Sequence, residues 1–180
     1  MTLAASRFAS PVGQLTLVAN EIGLVAVLWE DDDPMRVRLG PLQEMSSHPI
    51  LAEAASQLSA YFAGRRQSFD LPLDFRGTDF QKSVWVALLA IPFGETRSYT
   101  QIAAAIGRAG ASRAVGVANG RNPLSIVAPC HRVIGASGAL TGFAGGLEAK
   151  AWLLRLEGVE PWRCAGQRQR ANNGGAPGRT

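Results

Sequence analysis

The chain has 180 residues, 47% of them hydrophobic, and a formal net charge of +4, which is enough to bury a core in one domain or two small ones and excludes a disordered chain. Its two cysteines, Cys130 and Cys164, are too few for a disulfide framework. The opening "MTLAASRFASPVG" lacks the apolar run of a secretory signal, and no window reaches the roughly 20 apolar residues of a membrane span. A soluble protein of the reducing cytoplasm is expected. The charge is uneven: Met1 to Phe75 carries 5 Lys/Arg against 9 Asp/Glu, net −4, and Arg76 to Thr180 carries 13 against 5, net +8. A basic C-terminal half suits an anionic partner, most commonly nucleic acid, although a solvated cationic surface has the same composition.

In chain order, "RFASPVG" reads as a strand entering a turn, and "GQLTLVA", "EIG" and "LVAVLW" read as an antiparallel hairpin. "DDDP" is a loop. From Pro49 the spacing becomes helical, with Leu51, Ala55, Leu58 and Phe62 on one face and Gly64 as the stop. The expected N-terminal domain is α/β, a small antiparallel sheet plus a helix, over residues 1–76. Residues 77–162 read as a mainly α-helical domain. "TDFQ" is a capping box opening a helix that carries Phe80, Val84 and Leu88 and ends at Pro92. Ser98 or Thr96 caps "YTQIAAAIG", and Ser112 caps "RAVGVAN" after the link "RAGA". Two short helices joined by a glycine-containing turn suit a winged-helix-like helix-turn-helix, and equally an ordinary packed hairpin. Arg113 stands in a first turn, where the macrodipole disfavours a cation, and Gly116 costs roughly 1 kcal/mol mid-helix. A DNA-facing helix explains both, as do solvation of Arg113 and close packing at Gly116. Residues 163–180 read as a disordered, low-complexity tail.

The stretch "IVAPCHRVIG" places Cys130 beside His131. A zinc site would need about four ligands, and two cysteines and two histidines scattered over both halves do not supply them. A buried structural thiol remains open, as does a nucleophile whose proton His131 accepts. Such a histidine needs an orienting acceptor. Glu157, on the last turn of the helix in "AWLLRLEGVEPW", is the candidate, its charge at the negative helix end being disfavoured unless paired; an exposed Glu157 compensated by Arg155 is the plainer alternative. That helix is read to begin near Gly146 and to bury Leu147, Ala151 and Leu154.

"PCHRV", "GETRSYTQIA", "SRAVGVANGRNP", "GFAGG" and "WLLRLEG" together resemble the O6-alkylguanine-DNA alkyltransferase family, from about Thr78 to Gly158. "SPVGQLTL" resembles the family's first domain more weakly. The resemblance implies direct-reversal DNA repair by a single-turnover enzyme without a cofactor or metal, acting on double-stranded DNA that contains O6-alkylguanine. It implies Cys130 as alkyl acceptor, His131 as base through a bound water, Glu157 as its orienting carboxylate, Asn122 as the tie between the recognition helix and the active-site turn, and Tyr99 as the group that rotates the nucleotide and hydrogen-bonds the guanine. Arg113 would fill the gap in the base stack. Ser112 and nearby amides would hold phosphates, with Gly116 on the DNA-facing helix and Ala136 leaving only backbone donors. Val133 would offer its carbonyl to the exocyclic amine, while Phe143 and Ala144 of the closing loop, with Trp85, would line the pocket. Phe143 stands where tyrosine is often found, and the N-terminal zinc ligands of some members are absent.

A monomer in solution is expected, and whether its copies bind DNA cooperatively is left open by the sequence. Two other readings compete. An alkyltransferase-like lesion-binding protein would lack the acceptor cysteine, which is present here, and a thiol hydrolase built on Cys130, His131 and Glu157 would give Arg113 and Tyr99 nothing to do.

Overall fold

The computed structural model describes residues 2–160; the tail expected at 163–180, with Cys164, lies outside them. Strands β1 (Leu3–Ser10), β2 (Gly13–Ala19) and β3 (Leu24–Trp29) form an antiparallel meander. The first turn closes through Ser10 Oγ donating to the Gly13 carbonyl at 2.6 Å. In the second, the Asn20 side-chain oxygen accepts the N–H groups of Ile22 and Gly23, both at 2.9 Å. A Cβ on Gly23 would lie 2.6 Å from the Pro72 carbonyl, so glycine lets residues 72–73 run against β3. The sheet is mixed, not purely antiparallel: β4 (Leu42–Glu44) pairs parallel to β1, giving the order β3-β2-β1-β4. Three exposed residues leave no alternating pattern from which that strand could be read.

Helix α1 (Pro49–Phe62) packs on this sheet through Leu51, Ala54, Gln57, Leu58 and Tyr61. The buried stripe therefore runs 51, 54, 58, 61, with Ala55 and Phe62 on its flanks. Tyr61 faces inward because its hydroxyl has a buried acceptor, described below.

The C-terminal part opens with α2 (Asp79–Leu89), where Thr78 and Gln81 form a complete capping box. Ser98 and Gln101 form a second one at α3 (Tyr99–Ala105). Helix α4 (Ser112–Gly120) follows without a side-chain cap. Its N-cap is Ala111, and Ser112 lies inside the first turn with its hydroxyl 3.2 Å from that of Thr100. Strands β5 (Arg97–Ser98) and β6 (Val133–Ile134) form a short parallel pair. Helix α5 (Leu147–Leu156) buries Ala149, Lys150, Leu153 and Leu154, whereas Leu147 is exposed and Ala151 half-buried, a shift of face from the sequence expectation. No helix among the described residues is long and apolar enough to cross a membrane.

The segment between α4 and β6 joins two cores. Leu124, Ile126, Val127 and Ala128 belong to the core that contains the sheet and α1, and Cys130 and Val133 to the one formed by α2, α3 and α4. Val27 of β3 donates to the Pro123 carbonyl at 2.8 Å and bridges Leu124 in parallel, so the segment continues the cover of the β3 edge that residues 72–74 begin at Leu24. Burial of Leu124 and Ile126 is worth about 1.5–3 kcal/mol each, which helps hold Ile126 at a φ of 75°, a strained value for a β-branched residue, four positions before the thiol.

Candidate active site

Cys130 opens a single 3-10 turn, Cys130–Arg132, between Pro129 and β6. Pro129 supplies no N–H, and the turn closes through the Cys130 amide on Ala128 O at 2.8 Å and the Arg132 amide on Pro129 O at 3.0 Å. All three side chains of the turn are buried. Burial pushes the Cys130 thiol up, opposed by a hydrogen bond from the Asn122 side chain and by the charges of Arg36 and Lys150.

His131 and Glu157 are brought together, as the sequence suggested, with His131 Nε2 2.7 Å from Glu157 Oε1 and both side chains out of solvent. Burial keeps His131 below its usual range, and hence neutral at pH 7, although Glu157 pulls the other way. A neutral ring that donates from Nε2 carries its lone pair on Nδ1, and Nδ1 is buried without a hydrogen-bond partner among the described residues.

Glu157 is the C-cap of α5 and is not an exposed helix-end acid. Its carboxylate also takes Arg132 Nε at 2.8 Å, Arg132 Nη2 at 2.9 Å and the Tyr61 hydroxyl at 2.7 Å. Burial alone would raise its pKa; the hydrogen bonds and charges of His131 and Arg132 outweigh that and hold it at about 2. Arg132 continues to the Ile91 carbonyl at 2.6 Å and lies over the Phe93 ring.

Asn122 closes the loop on the other side of the thiol, its amide donating to Ala128 O at 2.8 Å and its side-chain oxygen accepting from the Leu124 amide at 3.1 Å. The Asn122 main-chain carbonyl accepts Arg36 Nη1 at 2.6 Å, and Arg36 is itself paired with Asp32.

The closing loop is anchored by Lys150, a fully buried lysine whose Nζ donates to Val133 O at 2.6 Å and to Thr141 O at 3.3 Å. Burial lowers its pKa to about 8. Tyr99 hydrogen-bonds the Thr141 hydroxyl from the first turn of α3, and its ring lies 3.7 Å from where a Cβ on Gly116 would stand. That is ordinary contact, so packing within the protein does not demand glycine at 116. Phe143 meets Trp29 edge-on at 5.4 Å, Ala144 is exposed, and a Cβ on Gly145 would lie 2.6 Å from the Trp29 ring. Trp85 is buried behind α4, donating to Ala118 O at 2.9 Å and packed on Phe75. Arg113 and Ala136 are exposed and Ser112 is half-buried.

Sequence reasoning missed Arg36, Tyr61, Arg132 and Lys150. Only Arg132 carried a local signal, standing one residue beyond His131. Lys150 lies on α5 between apolar positions, where a lysine reads as a defect in the stripe, and Arg36 and Tyr61 belong to the other domain.

Two family models match the chain: 6-O-methylguanine DNA methyltransferase, ribonuclease-like domain, over residues 4–75, and 6-O-methylguanine DNA methyltransferase, DNA binding domain, over residues 79–159. A methylated-DNA–protein-cysteine methyltransferase of Methanosarcina barkeri is 51% identical over 148 residues, 82% of this chain and 92% of the relative. One of Mycobacterium tuberculosis is 52% identical over 150 residues, 82% and 88% of the two chains. Among solved structures, Mycobacterium tuberculosis OGT in complex with DNA superposes with a TM-score of 0.76 at 44% identity, covering 92% of this chain and 99% of that one.

Proposed function

This chain belongs to the 6-O-methylguanine DNA methyltransferase family, and from that premise we propose that it repairs DNA by direct reversal, moving the alkyl group of O6-alkylguanine to Cys130. The observation that carries the reading is the His131 ring, fixed by Glu157 through Nε2 and left with an unpartnered Nδ1 one residue from the thiol. Nδ1 takes the Cys130 proton, directly or through one water, and Glu157 stabilises the imidazolium. The thiolate sulfur attacks the saturated carbon on O6 in line, a C–S bond forms, the C–O6 bond breaks, and the electron pair goes to the guanine. The Tyr99 hydroxyl shares a proton with the leaving base, so the net reaction exchanges the thiol proton for the alkyl group. Water does not hydrolyse a thioether as it does an acyl thioester, which makes the reaction stoichiometric, one turnover per molecule.

The base must leave the duplex first, at a cost of a few kcal/mol. Arg113 projects from the first turn of α4 into the vacated stack, Ser112 and neighbouring amides take phosphates, and Gly116 keeps the helix surface low where the strand crosses Tyr99. Val133 O and the loop bearing Phe143 and Ala144 receive the base. Ala136 offers its backbone alone, and Trp85 supports the site from behind α4. The active form is a cytoplasmic monomer that needs no cofactor. The test is a duplex carrying one labelled O6-methylguanine: the label should move to the Cys130 peptide in a one-to-one ratio. Repair of excess lesion by substoichiometric protein would overturn the proposal in favour of a turnover enzyme.

A further inference from the structure

We infer that the cleft between the two domains beside the C-terminal end of α4 binds a phosphate of the DNA backbone through Arg38 and Arg121. The inference takes its ligand from the proposed function and adds a site outside the helix-turn-helix surface. A cavity of about 170 Å³ opens there, with Arg36, Arg38, Arg76 and Arg121 in its lining together with Gln81 and Trp85. The four arginines come from the loop ahead of β4, the interdomain linker and the C-cap of α4, and they are not equivalent. Arg36 is held by Asp32 and the Asn122 carbonyl, and Arg76 reaches Asp74 at 3.1 Å. Arg38 and Arg121 are exposed, and neither side chain has an ion-pair or hydrogen-bond partner among the described residues. Two carboxylates against four guanidinium groups leave a surplus of two positive charges at one concavity. Like charges so gathered repel, and the low-dielectric wall formed by Trp85 and its neighbours focuses their field into the cleft.

The cavity, at about 170 Å³, has room for a phosphate group. Guanidinium groups present paired N–H donors that match phosphate oxygens.

Helix α4 explains how a duplex would reach it. Its exposed residues are Arg113, Ala114, Val117, Gly120 and Arg121, the i, i+1, i+4, i+7, i+8 stripe of one face. Val117, in the middle, is 61% exposed. An arginine at each end with small or apolar residues between suits a groove floor flanked by phosphates. At 1.5 Å per residue the two arginines stand about 12 Å apart along the axis, so a strand engaged at Arg113 runs on towards Arg121 and the cleft. The negative end of the macrodipole gives Arg121 a structural reason to be there. Arg38 has none, since it comes from a loop of the other domain.

The experiment measures the affinity of the full-length protein for an unmodified duplex between about 50 and 200 mM salt, for wild type, Arg38→Gln, Arg121→Gln and the double variant. For every phosphate that a variant no longer neutralises, the slope of log K against log salt should become shallower by about 0.9. The expected result is a change equivalent to one phosphate in each single variant and to two in the double variant, with Arg65→Gln, an exposed arginine at the end of α1, as the unchanged control. A wild-type slope in the double variant would overturn the inference. So would saturable binding of inorganic pyrophosphate to wild type with no change of slope in the variants, which would make the cleft a site for free anions. Wild-type protein that takes up no label on Cys130 from lesion DNA would overturn the proposed function instead, leaving the slopes to judge the cleft.

Discussion

Around Cys130 the buried polar side chains, His131 Nδ1 excepted, are tied down: Glu157 by three neighbours, Arg132 by Glu157 and Ile91, Asn122 by Ala128 and Leu124, Lys150 by two carbonyls. On α4, Arg113 and Arg121 have no side-chain partner among the described residues, and Val117 stands in solvent. The two regions adjoin, yet one is organised for its own chain and the other is incomplete without a second molecule. Burial explains the contrast, because an unpaired polar group costs a few kcal/mol inside and almost nothing outside. Chemistry and recognition are thereby separated, and substitutions can test the separation.

The largest expected effect is that of Cys130→Ser. Alkyl transfer should vanish while duplex affinity stays within about twofold, since the DNA-facing groups belong to α4 and its surroundings. Parallel single-turnover labelling and equilibrium binding check it, and a loss of DNA binding comparable to the loss of transfer would dissolve the distinction between the regions.

Glu157→Gln comes next. It removes the charge that stabilises an imidazolium and leaves Arg132 buried without its carboxylate. Alkylation of Cys130 should slow by about 10²–10³, within the usual range for general-base assistance, with lesion affinity nearly intact. The same variant carries a pH signature. The folded carboxyl titrates at about 2 against 4.5 for the free group, so its contribution to stability is complete above pH 4.5 and is lost as pH falls towards 2. The difference is worth on the order of 3 kcal/mol. His131, kept neutral by burial, adds a separate loss below about 6.5. Chemical denaturation at pH 7 and pH 3 should show wild type losing more than half of the Glu157 increment and the variant, weaker at pH 7, losing less.

The third prediction concerns the other region. Arg113→Ala should slow repair of a lesion in duplex DNA by about tenfold and leave reaction with the free alkylated base unchanged, because a free base needs no extrusion. Tyr99→Phe is the contrast, slowing both substrates if its hydroxyl serves the leaving guanine. An Arg113→Ala protein equally impaired on free base would place that arginine in the chemistry.

What the sequence disclosed follows the range of the forces involved. The capping box at Thr78, the cap at Ser98 and the meander turns depend on residues within three or four positions of one another, and they are where the pattern put them, whereas the cap of α4 is Ala111 and not the expected Ser112. Cys130 and His131 are adjacent, and Glu157 stands out through its conflict with the helix end. Arg36 and Tyr61 act on Asn122 and Glu157 from 86 and 96 positions away, a separation at which no periodicity carries information. Net charge points to the right half for an incomplete reason. Residues 76–160 hold 9 Lys/Arg against 5 Asp/Glu, net +4, so half of the +8 belongs to residues 161–180, and Arg132 and Lys150 spend their charges in the interior. The face of α1 differs by one position from the hydrophobic pattern because Tyr61 is drawn inward by a hydrogen bond that hydrophobicity does not encode.

That hydrogen bond sets the smallest effect. Tyr61 shares Glu157 Oε1 with His131 Nε2, each at 2.7 Å, and beside the carboxylate burial drives its phenol well above the usual tyrosine range, so it acts as a donor throughout the accessible pH range. Tyr61→Phe keeps the ring and its packing against Phe62, Phe69 and Phe93 and removes one of four donors to the carboxylate. Stability should fall by about 1.5–3 kcal/mol, as for other hydrogen bonds to charged groups. Alkylation should slow only a few-fold, because His131 keeps its acceptor. With one donor fewer, the Glu157 carboxyl titrates higher, so the acid loss of stability, which still begins near pH 4.5, should be smaller and should end at a higher pH than in wild type. A purely steric role for Tyr61 would leave that acid limb where it was. A slowing as large as that of Glu157→Gln would mean that the N-terminal domain orients the histidine through Tyr61 and does more than brace its carboxylate.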